Sequence, residues 1–311
     1  MSLAESKITF RGEPRVVLDG IPRFCEMDAY VGNYERIASD HVAAMRPGAA
    51  NPFIEEELWQ SLERSTQAIV KRHLPPGSTI LDVGVGLGRL LDPLSEFDRY
   101  GVDISQDYLA RAREVGIQVA FARAEELPFD DSVFDAVVVC DVLEHVLDLN
   151  VVCREMLRVL KPGGLLIVRV PSREDLSVYL RDDLAYEFIH LRNFDLAGLR
   201  LLFQKIFCMS YLEGSEVCPY LQGSSRLRLR LLPEVTRSKM VQLLPDLPPG
   251  PDSLRLKEAF KIGEEAFERW MYWLRDHHPQ QFSLVAPHLL LGIEVNAAFR
   301  KPFPSPVHGS V

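Results

Sequence analysis

Five short apolar runs that alternate with helical patterns constrain the fold of this chain more than any other feature of its sequence. The apolar runs cover residues 79–83, 100–104, 117–121, 135–140 and 165–170. Between them, residues 106–114 and 149–160 have the spacing of amphipathic helices. This alternation is typical of βαβ units around a parallel sheet. We therefore predict an α/β fold with a doubly wound, Rossmann-like, seven-stranded and mostly parallel sheet.

The segments on either side of these runs extend the prediction. Residues 54–72 predict an amphipathic helix before the first strand, and residues 194–203 predict another after the fifth strand, with Asp195 as its cap. The pattern from residue 222 to 287 changes to leucine-arginine alternation, a Pro-rich loop and an aromatic helix, which we interpret as a helical insertion or lid between the last two strands. The predicted regions are an N-terminal extension and closing segment (1–53), a core (54–221), the insertion (222–287), and a last strand with a tail (288–311).

Composition and charge exclude several classes of function. The 311-residue chain has a formal net charge of -9, which repels polyanions, so nucleic acid is not expected as a partner. Its 5 cysteines are far apart and form no Cys-x-x-Cys pair, so the sequence indicates neither a disulfide framework nor a metal site. No run approaches about 18 uninterrupted apolar residues, and the N-terminus lacks the apolar core of a signal peptide. We therefore predict a cytoplasmic protein without a membrane span.

A glycine-rich run follows the first predicted strand and gives the first indication of function. Residues 82–88 read Asp-Val-Gly-Val-Gly-Leu-Gly and are expected to lead directly into a helix, whose N-terminal N–H groups are free to meet a ligand. Asp103 ends the next predicted strand, where its carboxylate can accept hydrogen bonds from two ribose hydroxyls. The dinucleotide fingerprint requires a third glycine where Arg89 stands, which counts against a nucleotide-dependent oxidoreductase.

Four further motifs follow the glycine run in order. They cover residues 101–105 (Gly-Val-Asp-Ile-Ser), 124–129 (Ala-Glu-Glu-Leu-Pro-Phe) followed by Phe134 and Asp135, 141–146 (Asp-Val-Leu-Glu-His-Val) and 160–164 (Leu-Lys-Pro-Gly-Gly). With the first motif at residues 80–88, the set closely resembles the class I S-adenosylmethionine-dependent methyltransferases, especially the type 11 group related to ubiquinone and menaquinone methyltransferases. The resemblance implies S-adenosylmethionine as cofactor and methyl transfer as activity.

The resemblance also implies which residues contact the cofactor. The expected set is Asp82, with Gly84, Gly86 and Gly88 beneath the methionine and ribose, Asp103 and Ile104 at the ribose, Ala124 and Glu125 beside the adenine, and Cys140 at the methionine end. Many relatives have an aspartate where Arg123 stands and use it to bind the adenine amino group. In this chain another group must make that contact.

Three residues are candidates for activating the methyl acceptor. His145 follows the fourth predicted strand at the carboxyl edge of the sheet, where open α/β sheets bind ligands, and Glu144 could orient it. His190 lies in a segment that resembles the family's histidine-containing lead into the next helix, and Asp141 lies at the same edge as His145. A histidine is the usual general base near neutral pH. The alternative is structural: His145 caps a helix and His190 bonds a backbone carbonyl.

Four residues are candidates for contacting the acceptor. Tyr30 and Tyr34 have the spacing of one helix face and could close over the site, or they could pack against the sheet. Arg226 and Arg228 alternate with leucines, a pattern that places guanidinium groups on one face of an extended segment. Such a face could bind a phosphate or carboxylate, although charge on a solvated edge strand is the simpler explanation.

We expect methyl transfer to oxygen of a small-molecule or glycan-precursor acceptor. A phosphorylated or sugar-linked acceptor is one option, because residues 19–24 resemble the linker that follows a zinc-ribbon domain in some methyltransferases. Two alternatives stay open: a nucleotide-dependent oxidoreductase, and a non-catalytic binding module with the methyltransferase fold. A homodimer is also an open alternative.

Overall fold

The structure is a computed structural model that describes residues 8–44, 56–172, 174, 176–187, 189–217, 272–285 and 294–303. The chain divides into two compact units, Met1–Val217 with Glu294–Val311, and Cys218–Ile293. The described part of the second unit is helical over residues 272–277 and Pro279–Val285. None of the helices within the described ranges has the length and apolar character of a membrane span.

A single mixed sheet forms the first unit. Its strands are β1 (Val16–Leu18), β2 (Ile21–Arg23), β3 (Thr79–Val83), β4 (Asp98–Asp103), β5 (Gln118–Phe121), β6 (Phe134–Cys140), β7 (Leu160–Pro171), β8 (Ser210–Val217) and β9 (Glu294–Arg300). They lie in the order β1-β2-β5-β4-β3-β6-β7-β9-β8. Strands β3 to β7 are mutually parallel, whereas β9 pairs antiparallel with both β7 and β8. The carboxyl ends of β3, β4 and β6 therefore meet at one edge.

Helices cover both faces of the sheet, as the doubly wound prediction requires. They are α1 (Ala29–Ala44), α2 (Glu56–His73), α3 (Gln106–Glu114), α4 (Leu149–Val159) and α5 (Leu196–Arg200), with a 3₁₀ helix at Leu176–Leu180 and a π-helical turn at Leu201–Ile206. Residues of α1, α2 and α3 pack in one buried layer, and residues of α4 and α5 pack in the other. The α/β, Rossmann-like fold is thus confirmed.

Polar side chains cap the N-termini of α3, α4 and α5, the helices that follow strands of the sheet. The Ser105 side chain accepts a hydrogen bond from the Tyr108 N–H at the start of α3, and the Asp148 side chain accepts from the Val151 N–H at the start of α4. The Asp195 carboxylate accepts from the Gly198 N–H at 2.7 Å, so the predicted cap of α5 is confirmed. Capping residues of this kind satisfy N–H groups that have no partner within the helix.

The predicted count of seven strands is wrong, because the described sheet has nine. The extra strands β1 and β2 form a hairpin, and Arg23 of β2 pairs with Phe121 of β5 at the end of the predicted sheet. Asp19 and Gly20 connect them with φ values of 50° and 76°. Two consecutive residues with positive φ are typical of the tight turn in a two-residue hairpin, and Asp-Gly is a preferred sequence for it. This signal was present in the segment that we interpreted as a linker.

The helix expected directly after the glycine run is also wrong. The residues from Gly86 to Pro93 form consecutive turns, with hydrogen bonds from the N–H groups of Leu91 and Asp92 to the Gly88 carbonyl. Pro93 has no N–H to extend this series, and the next hydrogen bond, from the Leu94 N–H to the Leu91 carbonyl, closes only a tight turn, so no regular helix forms. Any ligand at this edge therefore meets a turn rather than the N-terminus of a long helix.

Candidate functional site

The turn after β3 and the end of β4 form a cradle around Asp103. The Asp103 carboxylate accepts hydrogen bonds from the Gly86 N–H at 2.9 Å and from the Ser105 N–H at 3.0 Å. Burial raises the pKa of Asp103 to about 6, although these backbone hydrogen bonds oppose that shift. Each carboxylate oxygen has two lone pairs, so both oxygens retain a position that can accept a hydroxyl proton. This geometry fits a ribose diol.

The three glycines of the run have different surroundings. A Cβ on Gly86 would meet nothing within 4 Å, so this residue faces open space beside Asp103. A Cβ on Gly84 would clash with the side chain of Val142, and one on Gly88 would clash with the backbone of Ala112. Gly84 and Gly88 therefore allow close packing, and Gly86 leaves room that a ligand could fill.

A buried charge network lies beneath this edge. Asp82 of β3 is 2% exposed, and burial raises its pKa well above the ordinary value, while the charge of Arg169 opposes that shift. Arg169 of β7 is 3% exposed and forms ion pairs with Asp141 Oδ2 and Glu294 Oε2, each at 2.6 Å. Asp141 has a φ of 55°, in the left-handed region. Arg169 donates to its Oδ2, whereas its Oδ1 has no hydrogen-bond partner among the described residues, and a role of Asp141 as a base stays a prediction.

Arg169 and Glu294 were missed by the sequence analysis. A charged residue inside the apolar run 165–170 was the available signal, because a buried cation requires a partner. The partner could not be identified from sequence. Glu294 lies in β9, far along the chain, and comes close to Arg169 only because β9 pairs antiparallel with β7. Asp141 was found, but its contact with Arg169 was not.

His145 and His190 lie side by side beyond the end of β6. Their rings are 4.6 Å apart between centroids and nearly perpendicular. His145 Nδ1 lies 3.4 Å from the Ile189 carbonyl oxygen, and its Nε2 lies 3.7 Å from Glu144 Oε1. His190 Nδ1 is paired with the Glu174 carboxylate. The two predicted histidines are thus brought together, and Glu174 is a partner that the sequence analysis missed.

The electrostatics of this histidine pair are set by burial. Burial lowers the pKa of His145 to about 4, and the charge of His190 contributes to the shift. Glu144 is 1% exposed, and burial followed by the charge of Asp141 raises its pKa well above the ordinary value. His145 is therefore a neutral imidazole at neutral pH, with a lone pair available on one nitrogen.

Two tyrosines of α1 border the histidine pair. The rings of Tyr30 and Tyr34 are 5.0 Å apart, and the Tyr34 ring meets the His145 ring edge-on at 5.5 Å. The Tyr30 hydroxyl donates a hydrogen bond to the His145 carbonyl oxygen at 3.4 Å. Burial raises the pKa of Tyr30 to about 12, so it is protonated at neutral pH. The helix α1 thus covers the side of the site next to His145.

Other predicted contacts lie around the same edge. Ile104 and Cys140 are partly buried at the ends of β4 and β6 and pack against the core, while Ala124 and Glu125 lie in the turn after β5. Arg123, which stands where many relatives have aspartate, forms an ion pair with Asp28, just before α1. This pair connects the N-terminal segment to the turn after β5.

Three further arginines entered the sequence analysis: Arg89, which stands at the third glycine position of the dinucleotide fingerprint, and the candidates Arg226 and Arg228. Arg89 forms ion pairs with Glu63 at 2.9 Å and Glu56 at 2.7 Å and lies over the Trp59 ring, so it anchors α2. Arg226 and Arg228, the predicted anion-binding residues of the insertion, lie outside the described residues.

Comparison with known proteins relates this chain to a methyltransferase family and to proteins of several organisms, two of which are described here. A family described as a methyltransferase domain matches residues 81–168. An uncharacterized protein of Methanocaldococcus jannaschii is 37% identical over 122 residues, which are 39% of this chain and 57% of that protein. The 2-methyl-6-phytyl-1,4-hydroquinone methyltransferase of a Synechocystis species is 41% identical over 110 residues, which are 33% of this chain and 35% of that enzyme. This chain therefore spans less than two thirds of either relative's length.

A solved structure with a similar fold covers more of the chain. A chain of the complex between the Haloferax volcanii Trm112 methyltransferase activator and a methyltransferase aligns with a TM-score of 0.56, over 89% of this chain and 100% of its own length. The sequence identity is 15%, so this similarity shows the fold alone. The family match covers β3 to β7, including the glycine turn and Asp103. These findings identify the domain at residues 81–168 as a member of the class I S-adenosylmethionine-dependent methyltransferase family.

Proposed function

We propose that this chain is a methyltransferase that transfers the methyl group of S-adenosylmethionine to a hydroxyl oxygen of a small-molecule or glycan-precursor acceptor. The observation that carries the proposal is the position of the His145 and His190 pair at the end of β6. Strand β6 pairs with β3, whose end leads into the glycine turn and the Asp103 cradle. The proposed cofactor site and a pair of imidazoles thus share one edge of the sheet.

Each part of this edge has a role in the proposal. S-adenosylmethionine, when bound, supplies an electrophilic methyl group. Asp103 would accept hydrogen bonds from the ribose hydroxyls, and Gly86 would leave space for the nucleoside. Tyr34 and the two histidines would border the acceptor, with the neutral His145 presenting a nitrogen lone pair. Much of the rate acceleration in such a displacement can come from holding the acceptor oxygen in line with the methyl carbon.

The name of one relative and the aromatic residues of the site both bear on the class of acceptor. The name of the Synechocystis relative specifies a hydroquinone, a compound with phenolic hydroxyl groups. An aromatic border formed by Tyr30, Tyr34 and His145 would suit a planar acceptor of this kind. A phosphorylated or sugar-linked acceptor would instead require the guanidinium groups of Arg226 and Arg228. Methylation of a ring carbon is distinguished from methylation of oxygen by the mass fragments of the product.

A labelled methyl-transfer screen tests the proposal. The full chain is incubated with methyl-labelled S-adenosylmethionine and fractionated small-molecule extract, and labelled products are analysed by mass spectrometry. We expect labelled methyl ethers with the wild type, and none with Asp103→Ala. Asp130→Ala, which changes an exposed carboxylate just before the turn at residues 131–132, serves as the control. Binding of S-adenosylhomocysteine without any turnover would favour the binding module, and binding of a reduced nicotinamide cofactor in its place would favour the oxidoreductase.

We also propose that residues 222–287 contribute to binding the acceptor and not to binding the cofactor. The support is their position in the chain: they fall within the compact unit Cys218–Ile293, which is inserted between β8 and β9. Replacing them with a short bridging loop is expected to abolish turnover while changing the affinity for S-adenosylhomocysteine less than about threefold. Equal loss of both would contradict the proposal.

A further inference from the structure

We propose that Glu144, His145 and His190 bind a divalent transition-metal ion. One carboxylate oxygen of Glu144 and one ring nitrogen of each histidine all lie within 4.8 Å of one another. Ligands of a tetrahedral ion at about 2.1 Å lie roughly 3.4 Å apart, so closing this set around an ion requires a contraction of up to about 1.4 Å. Rotations of the three side chains can supply a movement of that size.

The hydrogen bonds of the two histidines leave the right nitrogens free for a metal. His145 Nδ1 faces the Ile189 carbonyl oxygen, which leaves Nε2 directed toward Glu144. His190 Nδ1 is paired with the Glu174 carboxylate, which likewise leaves its Nε2 available. Metal-binding histidines almost always donate their other N–H to a carboxylate or a backbone carbonyl in this way. Both residues therefore already have the outer contacts of a metal ligand.

Glu144 supplies an independent observation. Its side chain is 1% exposed, yet among the described residues neither carboxylate oxygen has a hydrogen-bond partner. A buried carboxylate without hydrogen bonds costs free energy, and such groups in native proteins are expected to have a partner, an ion included. A cation coordinated by Glu144 would provide that partner. Among the nearby carboxylates, Asp141 and Glu294 are paired with Arg169, whereas the Glu174 carboxylate adds negative charge that also favours a cation.

The ligand set indicates which ion would bind. Two imidazoles and one carboxylate suit zinc, iron(II), cobalt(II) or manganese(II), whereas magnesium and calcium prefer sites made of oxygen ligands alone. Three protein ligands also leave at least one coordination position open, as in catalytic rather than structural sites. The sequence did not indicate this site, because cysteine spacing was the signal sought and the two histidines lie in separate segments.

The role of the ion rests on the proposed function, although its binding does not. An acceptor hydroxyl at the open position would have a lowered pKa and would lose its proton to solvent. The acceptor oxygen would then form a bond to the methyl carbon as the carbon–sulfur bond breaks, with its electron pair passing to sulfur. The products are a methyl ether, S-adenosylhomocysteine and one released proton.

Cobalt(II) titration of the full-length, metal-depleted chain tests the inference without measuring activity. Visible absorption reports cobalt(II) coordination, and equilibrium dialysis gives the stoichiometry and affinity. We expect about one ion per chain, with at least a thirtyfold loss of affinity in each of Glu144→Gln, His145→Ala and His190→Ala. His73→Ala, which removes a histidine paired with Glu213, is the matched control and should bind as the wild type does.

Glu174→Gln separates a metal site from a merely polar cluster. This variant retains a hydrogen bond to His190 but weakens the hold on its tautomer, so cobalt(II) affinity is expected to fall about tenfold to a hundredfold. Thermal unfolding and binding of S-adenosylhomocysteine confirm that each variant is folded. Failure of the wild type to bind cobalt(II), or unchanged affinity in the three ligand variants, would overturn the inference. Methyl transfer that persists in the metal-depleted chain would overturn only the ion's catalytic role.

Discussion

The proposed cofactor side of the candidate site, around Asp103, and its proposed acceptor side, around Glu144 and the two histidines, differ in how their polar groups are partnered. Asp103 accepts hydrogen bonds from two backbone N–H groups of its own neighbouring turns, so the cofactor side is held by local contacts. On the proposed acceptor side, neither carboxylate oxygen of Glu144 has a hydrogen-bond partner among the described residues, and the histidines come from separate segments. The Asp103 carboxylate thus already has hydrogen-bond partners within the protein, whereas the Glu144 carboxylate would gain its partner from a bound ligand.

The largest expected effect is the loss of cofactor affinity in Asp103→Ala. The variant removes two charge-assisted hydrogen bonds to ribose hydroxyls, each worth about 1.5–3 kcal/mol, so affinity for S-adenosylhomocysteine should fall at least about a hundredfold. The fold should persist, because no apolar core volume is removed. Calorimetric titration measures the affinity and thermal unfolding checks the fold, with Asp130→Ala as control. Unchanged affinity would contradict the distinction between the two sides.

Gly86→Ala is expected to have the next largest effect. Its Cβ would project into the open space beside Asp103, so affinity for S-adenosylhomocysteine should fall about tenfold, with a stability loss of about 1 kcal/mol from the positive φ of 51°. Gly88→Ala is the matched variant, because its Cβ would clash with the Ala112 backbone. We expect Gly88→Ala to lower the thermal unfolding temperature more than Gly86→Ala does. If Gly88→Ala lost more affinity for S-adenosylhomocysteine than Gly86→Ala did, Gly88 rather than Gly86 would face the ligand.

The cofactor side could largely be predicted from sequence, and the reason is that it is local. Strand β3, the glycine turn, β4 and Asp103 follow one another along the chain, and strands β3 and β4 are neighbours in the sheet. Local patterns therefore contain both the residues and their proximity. Even here the prediction of a helix after the glycine turn was wrong. Pro93 lacks the backbone N–H that would donate the next helical hydrogen bond.

The acceptor side could be predicted only in part, because its contacts depend on tertiary structure. His145 and His190 were individually recognised as candidates, but their contact depends on how the segment after β7 returns to the end of β6. Glu174 holds His190 across a loop, and Arg169 pairs with Glu294 across two strands. Periodicity gives the face on which a residue lies and cannot give its partner from a distant segment.

The pH dependence of cofactor binding should distinguish the sides by a smaller effect. The pKa of Asp103 is raised to about 6, and Glu35, Asp82 and Tyr108 are the titratable groups near it. Because ribose binding requires the carboxylate, affinity for S-adenosylhomocysteine should be constant above pH 7 and fall about tenfold by pH 5. Asp103→Asn should bind weakly and without this pH dependence. A fall that persists in Asp103→Asn would assign the titration to another group.

The smallest expected effect is that of Tyr34→Phe, and it tests whether α1 belongs to the acceptor side. The variant keeps the ring that meets His145 edge-on but loses the hydroxyl hydrogen bond with Tyr30. A hydrogen bond of this kind is worth about 1 kcal/mol, so turnover should fall about fivefold, while affinity for S-adenosylhomocysteine changes less than about twofold. Tyr186→Phe, which changes a half-buried tyrosine bonded to Asp40, is the control. If affinity for S-adenosylhomocysteine fell as much as turnover, the result would contradict the prediction. Tyr34 would then contact the cofactor and would belong to the cofactor side, although its ring meets His145.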